Sequence, residues 1–546
     1  MPSFPFLATL CLASTIASVA SCGSSGKGGV SADGGAAGTA VSVVYTVPGS
    51  LDELGGTHFL DHPWPSDLRR EADGTVRFEG FFDPKSLVLL SEYVRLAKGR
   101  FHGFSPVAAG YFRFDGAIDP ASLPSSAKDS TSSSSAIQIV DVDPASPEKG
   151  KRHFASASFR KEEGVYWLPR TLAVAPALGY PLAPSRRYAF LVTRTLRAEG
   201  GGAVGPNASM RQVLGLEAAT GPTEAMRASL AGDVATLREA GVAPESIAAL
   251  TVFTTNDPTA ETYRVVDAVP TQIEAPTVRA GTWRAAERTA TYDVYEGTYG
   301  PSPDYQEGTT PFRTSAEGGG FAFDAAGPPV LQRSFDLRFT LAVPESSRCP
   351  PPVDGYPVVL SAHGTTGDYR TAVEGETSVA AIVAPSCLAV MGIDQVLHGT
   401  RPGAPPEGSP TRDSDIELLF YNFGNLLAGR TNGRQGAVDV VQQARLFTDS
   451  KVTIPADVAR GGSPVRFDGS KVLFFGHSQG GLNGALFLAA DARARGGVLS
   501  GSGSMITTAL LAKTKPEPSV ASALRLLLQL TSKGDAAGLD TFPIRC

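Results

Sequence analysis

The sequence predicts a parallel α/β sheet over residues 331–546, preceded by a β-rich region with helical insertions over residues 41–330. Three observations lead there. Short, continuous apolar runs at residues 358–361, 388–393 and 472–475 alternate with helical patterns, as strands buried on both faces of a parallel sheet do. Before residue 330 the strand patterns are short and separated by turn signals, as in a sandwich. Gly 60 and Pro 41 are above average use and supply the many turns that such a fold needs. At roughly 100–200 residues per domain, a chain of 546 residues holds two or three domains. Lys+Arg 48 against Asp+Glu 54 leaves a net charge of −6, which argues against a nucleic-acid partner, whose footprint is a concentrated basic patch. A hydrophobic fraction of 42% with 19% charged residues excludes wholesale disorder.

Taken in order, residues 4–20 are apolar or small and uncharged. The run is too short to span a bilayer with confidence, which takes about 20 apolar residues, and it suits the core of a signal peptide over residues 1–21. It ends in Val19-Ala20-Ser21-Cys22, which resembles the bacterial lipobox, although no Lys or Arg precedes it. That resemblance implies cleavage before Cys22, a diacylglycerol on its thiol and, with Gly rather than Asp at position 23, sorting to the outer membrane. Residues 22–40 are rich in Gly, Ser and Ala and read as a flexible tether from membrane to domain.

Residues 41–48, 111–114, 137–142 and 188–193 read as strands, and the serines of 130–135 as a loop tip. The proline density around His62-Pro63-Trp64-Pro65-Ser66-Asp67 forbids regular structure. The phrase over residues 184–193 is similar to bacterial immunoglobulin-like modules. A helix opens at Pro222, carries Met226, Leu230, Val234 and Leu237 on one face and closes at Gly241. A strand at 250–255 and a helix at 260–268 follow. Residues 295–330, rich in Gly, Pro, Thr and aromatics, read as an irregular excursion or a linker.

Gly476-His477-Ser478-Gln479-Gly480 matches G-x-S-x-G between an apolar run and a helical pattern at 481–490. The nucleophile of that motif sits in a strained turn, where side chains at Gly476 or Gly480 would collide with neighbouring backbone. Ser478 then stands clear of the sheet near the positive end of the next helix. Upstream, a strand ends in His363-Gly364-Thr365. That ending resembles the oxyanion loop of lipases and esterases, where acyl transfer needs two backbone N–H donors aimed at the developing oxyanion; the resemblance implies the amides of Gln479 and Thr365 as donors, Gly364 permitting close approach and His363 bracing the loop.

Together with residues 392–399 and 432–439, these segments resemble the α/β-hydrolase superfamily and, more narrowly, bacterial surface lipoproteins of the virulence-factor lipase and lysophospholipase type. The resemblance covers most of residues 45–505. It implies hydrolysis of lipid-like esters through Ser, Asp and His, with a small-molecule or lipid ester as substrate, the membrane as a partner through the anchor, and no cofactor. Arg434 and Asp439 read as structural ion-pair members on a buried helix.

One departure matters. In this superfamily the acid and the histidine follow the nucleophile, yet all seven histidines, 58, 62, 102, 153, 363, 398 and 477, precede or adjoin Ser478 from the N-terminal side. Asp491, Asp535 and Asp540 are acids by position alone. His398, after a strand end, is the substitute base to consider. The pattern implies a chain truncated before its last strands. Two main readings stay open: a serine esterase or lipase, and a non-catalytic surface lipoprotein that binds a partner through its first half. A peptidase or thioesterase on the same fold is a third. Of five cysteines, Cys349 and Cys387 are candidates for a disulfide in an oxidising compartment, with two free thiols and a competing Cys546 as the alternative. No CxxC or Cys/His cluster points to a metal.

Overall fold

The structure, a computed structural model of the chain, describes residues 40–503, 506–515 and 519–530. Cys22, the signal segment, Asp535, Asp540 and Cys546 lie outside the described residues.

The first half is built from two sheets over one core. Ala155–Arg160, Thr171–Pro176, Gly110–Phe114, Val41–Val44 and Val204–Gly205 form one; Arg152–His153, Ile137–Asp141, Arg187–Thr193 and Ile247–Thr254 form the other. Phe112 and Phe114 of the first meet Ile137, Ile139, Phe190 and Phe253 of the second in one apolar cluster. Helix Pro222–Glu239 buries Met226, Leu230 and Leu237, three of the four residues of its predicted stripe. The serine run is a loop tip, with residues 132–134 exposed, that is pinned at its start. Ser130 is fully buried, its hydroxyl accepting the Ala155 amide at 2.8 Å, so the loop is pinned to the neighbouring strand.

The second half is a nine-stranded sheet. Its centre is parallel: Ala389–Ile393, Tyr356–Ala362, Val465–His477 and Ala494–Ser500 run side by side in that order. Its other flank is antiparallel, where Arg333–Pro344 pairs with Ala389–Ile393 and Tyr292–Asp304 pairs with Arg333–Pro344. This corrects the reading of 295–330 and the boundary at 330. Residues 292–304 form a 13-residue strand integral to the second sheet, which begins with Thr277–Val278. A break in register between Tyr299 and Ser302 takes up Gly300-Pro301, the irregularity that lets a strand tolerate proline.

Helix Leu426–Thr448 packs on the parallel strands, with Ala437, Val438, Val441 and Ala444 in the core. Asp439 on that helix meets Arg401 at 2.6 Å, and both are buried. Arg434 instead reaches Glu261 and the Pro258 carbonyl in the first half. Both residues therefore make structural ion pairs, though not with each other. Cys349 and Cys387 form a disulfide across 38 residues, tying the end of one strand to the start of another. Among the described residues no helix is long and apolar enough to cross a membrane.

A covalent loop of that length restricts the unfolded chain by about 3–4 kcal/mol on the chain-entropy model. Cys349→Ala with Cys387→Ala is expected to lower unfolding free energy by about that amount in urea titration.

Candidate functional site

Ser478 sits between strand Val465–His477 and helix Gln479–Ala490 with φ 50° and ψ −113°, a conformation that a non-glycine residue holds only under constraint. Two glycines supply the room. A Cβ at Gly476 would run into the Gly480 carbonyl, and one at Gly480 would run into the Ala362 carbonyl of the neighbouring strand. Four backbone bonds hold the turn. The Ser478 amide donates to Ser500 O at 2.8 Å, the Gly480 amide donates to His363 O at 3.1 Å, and the Ser478 carbonyl accepts from Gly481 and Leu482 as the helix begins. Ser478 is half-buried, so its hydroxyl is reachable.

The loop after strand Tyr356–Ala362 lies directly over the serine. A Cβ at Gly364 would stand 3.3 Å from Ser478 Cβ and 3.2 Å from His477 Cδ2. Gly364 to Gly367 form a turn, closed by the Gly367 amide on the Gly364 carbonyl at 3.1 Å. Within it, Thr366 has φ 76°, the left-handed region, which β-branched residues seldom occupy. Among the described residues neither the Thr365 amide nor the Gln479 amide has a hydrogen-bond acceptor. The Gln479 amide, at a helix N-terminus beside Ser478, and the Thr365 amide, next to Gly364, are thus without acceptors, and such donors suit a developing negative charge.

His363 and His398 lie beneath this loop, ring centroids 4.9 Å apart and both buried. His363 Nδ1 donates to Gly364 O at 2.7 Å and Nε2 accepts the Gln395 amide at 3.3 Å. His398 Nδ1 donates to Val396 O at 2.8 Å and Nε2 accepts the Thr366 amide at 3.0 Å. Each ring has thus spent its one donor and its one acceptor, which fixes it as neutral. Burial pushes the His363 pKa below that of an ordinary histidine. Burial, and then the neighbouring His363, push that of His398 well below it. The expectation that His398 could replace the missing base fails for this reason, because its only lone pair is occupied by Thr366. His477 is exposed, and its Nδ1 stands 3.2 Å from Ser500 Oγ. None of the seven histidines hydrogen-bonds Ser478.

Two supporting residues carried no role in the sequence reading. Gln395 donates its side-chain amide to His363 O and accepts from Asn483 Nδ2 at 2.7 Å. Asn483 lies one turn into the helix that follows Ser478 and is fully buried. Its signal was available: a lone asparagine between Gly481 and Gly484 in an apolar helix needs a buried partner.

Two other places bring polar side chains together. A groove of about 1060 Å³ lies in the first half, lined by Tyr45, His62, Arg187, Met226 and Asp233 among others, and contains no residue of the Ser478 site. Its polar groups are satisfied internally: Arg187 pairs with Asp67 and Asp233, and His62 with Thr46 O and Ser66 Oγ. Asp141, Glu148 and His153 offer ligand atoms within 4.8 Å of one another, but Arg186 stands 3.7 Å from both carboxylates and Lys151 pairs with Glu148, so two cationic side chains already face them.

No protein-family model matches the chain, and no curated protein matches it. Solved structures with some likeness include an acetyl xylan esterase from Paenibacillus sp. R4, at TM-score 0.29 and 14% identity over 51% of this chain and 70% of that one. Acetyl xylan esterase 1 from Thermoanaerobacterium sp. JW/SL YS485 gives TM-score 0.25 and 12% identity over 53% and 67%. A glucuronoyl esterase from Teredinibacter turnerae gives TM-score 0.23 and 17% identity over 43% of this chain and 47% of that one, so the match spans about half its length. Likeness this low says nothing of activity, and the chemistry of the site rests on its own geometry.

Gly480→Ala is expected to be the most damaging single methyl in the site, since the added carbon meets backbone on a central strand. It should lower unfolding free energy by several kcal/mol, on the order of other severe overpacking changes, or abolish soluble protein. Chemical denaturation beside wild type checks this.

Proposed function

We propose that this chain is a serine hydrolase that cleaves carboxylic esters, fatty-acyl esters among them, with Ser478 as nucleophile. What carries the reading is the strained, reachable Ser478 beside two unpaired backbone amides. In this reaction the Ser478 hydroxyl oxygen bonds to the ester carbonyl carbon while its proton passes to a base. The carbonyl oxygen, now anionic, is held by the amides of Gln479 and Thr365. Collapse of the adduct breaks the ester C–O bond, the leaving alcohol takes a proton, and water then releases the acyl group from the serine. With both imidazoles under the loop committed, the proton acceptor has to come from a group other than these histidines as they stand.

The same proposal places the protein outside the cytoplasm, held to the cell envelope by lipid on Cys22. The uncharged apolar run before Cys22 supports export, and the disulfide Cys349–Cys387 fits an oxidising compartment. The two-sheet first half is then an immunoglobulin-like module between the tether and the hydrolase sheet.

A fluorophosphonate probe tests this on residues 23–546. Labelling of wild type that vanishes in Ser478→Ala supports the reading. No labelling of folded wild type would sink it in favour of a non-catalytic lipoprotein that binds a partner. Gly364→Ala narrows the approach to Ser478 without meeting backbone at collision distance, so labelling should slow by about tenfold or more while the thermal midpoint stays near that of wild type.

A further inference from the structure

We propose that His398 is a positioning residue of the oxyanion loop: through its hydrogen bond to the Thr366 amide it holds the strained turn Gly364–Gly367 in the form that presents the Thr365 amide to Ser478. The inference rests on the reading of Ser478 as a nucleophile and adds the device that shapes its anion site.

Thr366 is the weak point of the loop. Its φ of 76° is costly for a β-branched residue, so the turn needs an external hold or it relaxes. The only described acceptor for its N–H is His398 Nε2, at 3.0 Å. That nitrogen is an acceptor because Nδ1 carries the proton, donated to Val396 O two residues back. The tautomer is thus set by the backbone of the ring's own loop.

That loop is itself firmly anchored. Asp394 takes Arg338 on one oxygen and the Tyr369 amide on the other, at 3.0 Å, so one carboxylate joins the His398 loop to the far end of the oxyanion loop. Gly399, at φ 55°, packs so closely on Asp394 that a Cβ there would collide with the carboxylate. Leu397 is also left-handed, at φ 63°, so the turn that inserts the ring is sharp. Two strained turns therefore meet at one hydrogen bond, with the His398 side supported by an ion pair and the Thr366 side supported by His398.

The titratable groups that act on the His398 ring are His363, Arg412 and Arg401, while Asp394, Asp368 and Arg412 act on His363. All three near neighbours are cationic or neutral, which keeps the ring unprotonated and the acceptor available.

The experiment compares wild type, His398→Leu, His398→Gln and the exposed-site control His102→Gln over residues 23–546. Two readouts are taken: hydrogen–deuterium exchange of peptides covering residues 363–369, and the rate of fluorophosphonate labelling. In His398→Leu, exchange in that segment is expected to quicken at least about tenfold, and labelling to slow by about tenfold or more, as for loss of an oxyanion donor. In His398→Gln, whose side chain offers both an acceptor and a donor, both readouts should return most of the way to wild type. A merely space-filling role predicts the reverse order, with the apolar Leu tolerated and Gln no better. Unchanged exchange in a folded His398→Leu, or no rescue by Gln, overturns the proposal. If Leu prevents folding, His398→Asn, too short to reach both Thr366 and Val396 O, takes its place with the same expectations. Failure of wild type to label would defeat the nucleophile reading alone, because the exchange comparison still decides whether His398 holds the loop.

Discussion

The close approach of Gly480 to strand Tyr356–Ala362 is the constraint on which the rest of the site depends. The helix after Ser478 starts so near this strand that the Gly480 amide bonds His363 O and no side chain fits between. That contact forces Ser478 into its unusual backbone conformation. It also sets the spacing between the serine and the loop that follows the strand, because His363 is the residue at which that loop departs. The Ser478 turn and the loop after strand Tyr356–Ala362 are therefore tied to each other by one hydrogen bond between the start of a helix and the end of a strand, which removes a degree of freedom between them.

Holding such a turn requires rigid surroundings, and here these are polar. Gln395 links His363 to Asn483, Asp439 meets Arg401, and Gln443 bonds the Met391 carbonyl, all buried. An apolar core of the same volume could be as stable, since desolvating a charge pair offsets most of its attraction. Directional bonds differ in that they have one satisfied geometry, and breaking a buried pair by removing one member costs about 3–5 kcal/mol. The network fixes loop positions that packing alone leaves loose. Contacts from the first half add to this frame. Tyr93 donates to Phe423 O at 2.6 Å, Tyr166 to Leu528 O at 2.8 Å, and Glu261 receives both Arg430 and Arg434.

What was legible in the sequence was whatever is decided locally. The elbow could be read because its glycines answer a steric demand within five residues. The strands at 358–361, 388–393 and 472–475 could be read because burial on both faces leaves an unbroken apolar run. Residues 292–304 were misread because Gly297, Gly300, Pro301 and Pro303 carry turn chemistry, and only pairing with a 12-residue partner strand overrides it. The serine run is the loop tip its composition suggests, and what composition does not mark is that Ser130 at its start accepts an amide 25 residues away. His398 was the hardest case. Its place after a strand end suited a base, but the role of a histidine depends on which of its two nitrogens is already engaged, and both partners are backbone groups that no sequence pattern marks.

On the proposed reading, receiving negative charge and accepting a proton fall to different groups. On that reading, negative charge would be received by the Thr365 and Gln479 amides, which have no acceptor among the described residues, by a helix N-terminus, and by a loop whose two buried histidines are neutral. These groups lower the barrier only when charge develops, so they act on a tetrahedral adduct and leave the ester itself untouched. Accepting the proton of Ser478 is a separate task, and both buried imidazoles are committed to structure instead. The placement of His398 follows from the same division. A ring that must hold an amide at every working pH is best kept neutral, buried and far below its ordinary pKa, whereas a base has to exchange its proton in each cycle. One imidazole cannot meet both demands, and the geometry around Thr366 commits this one to the loop.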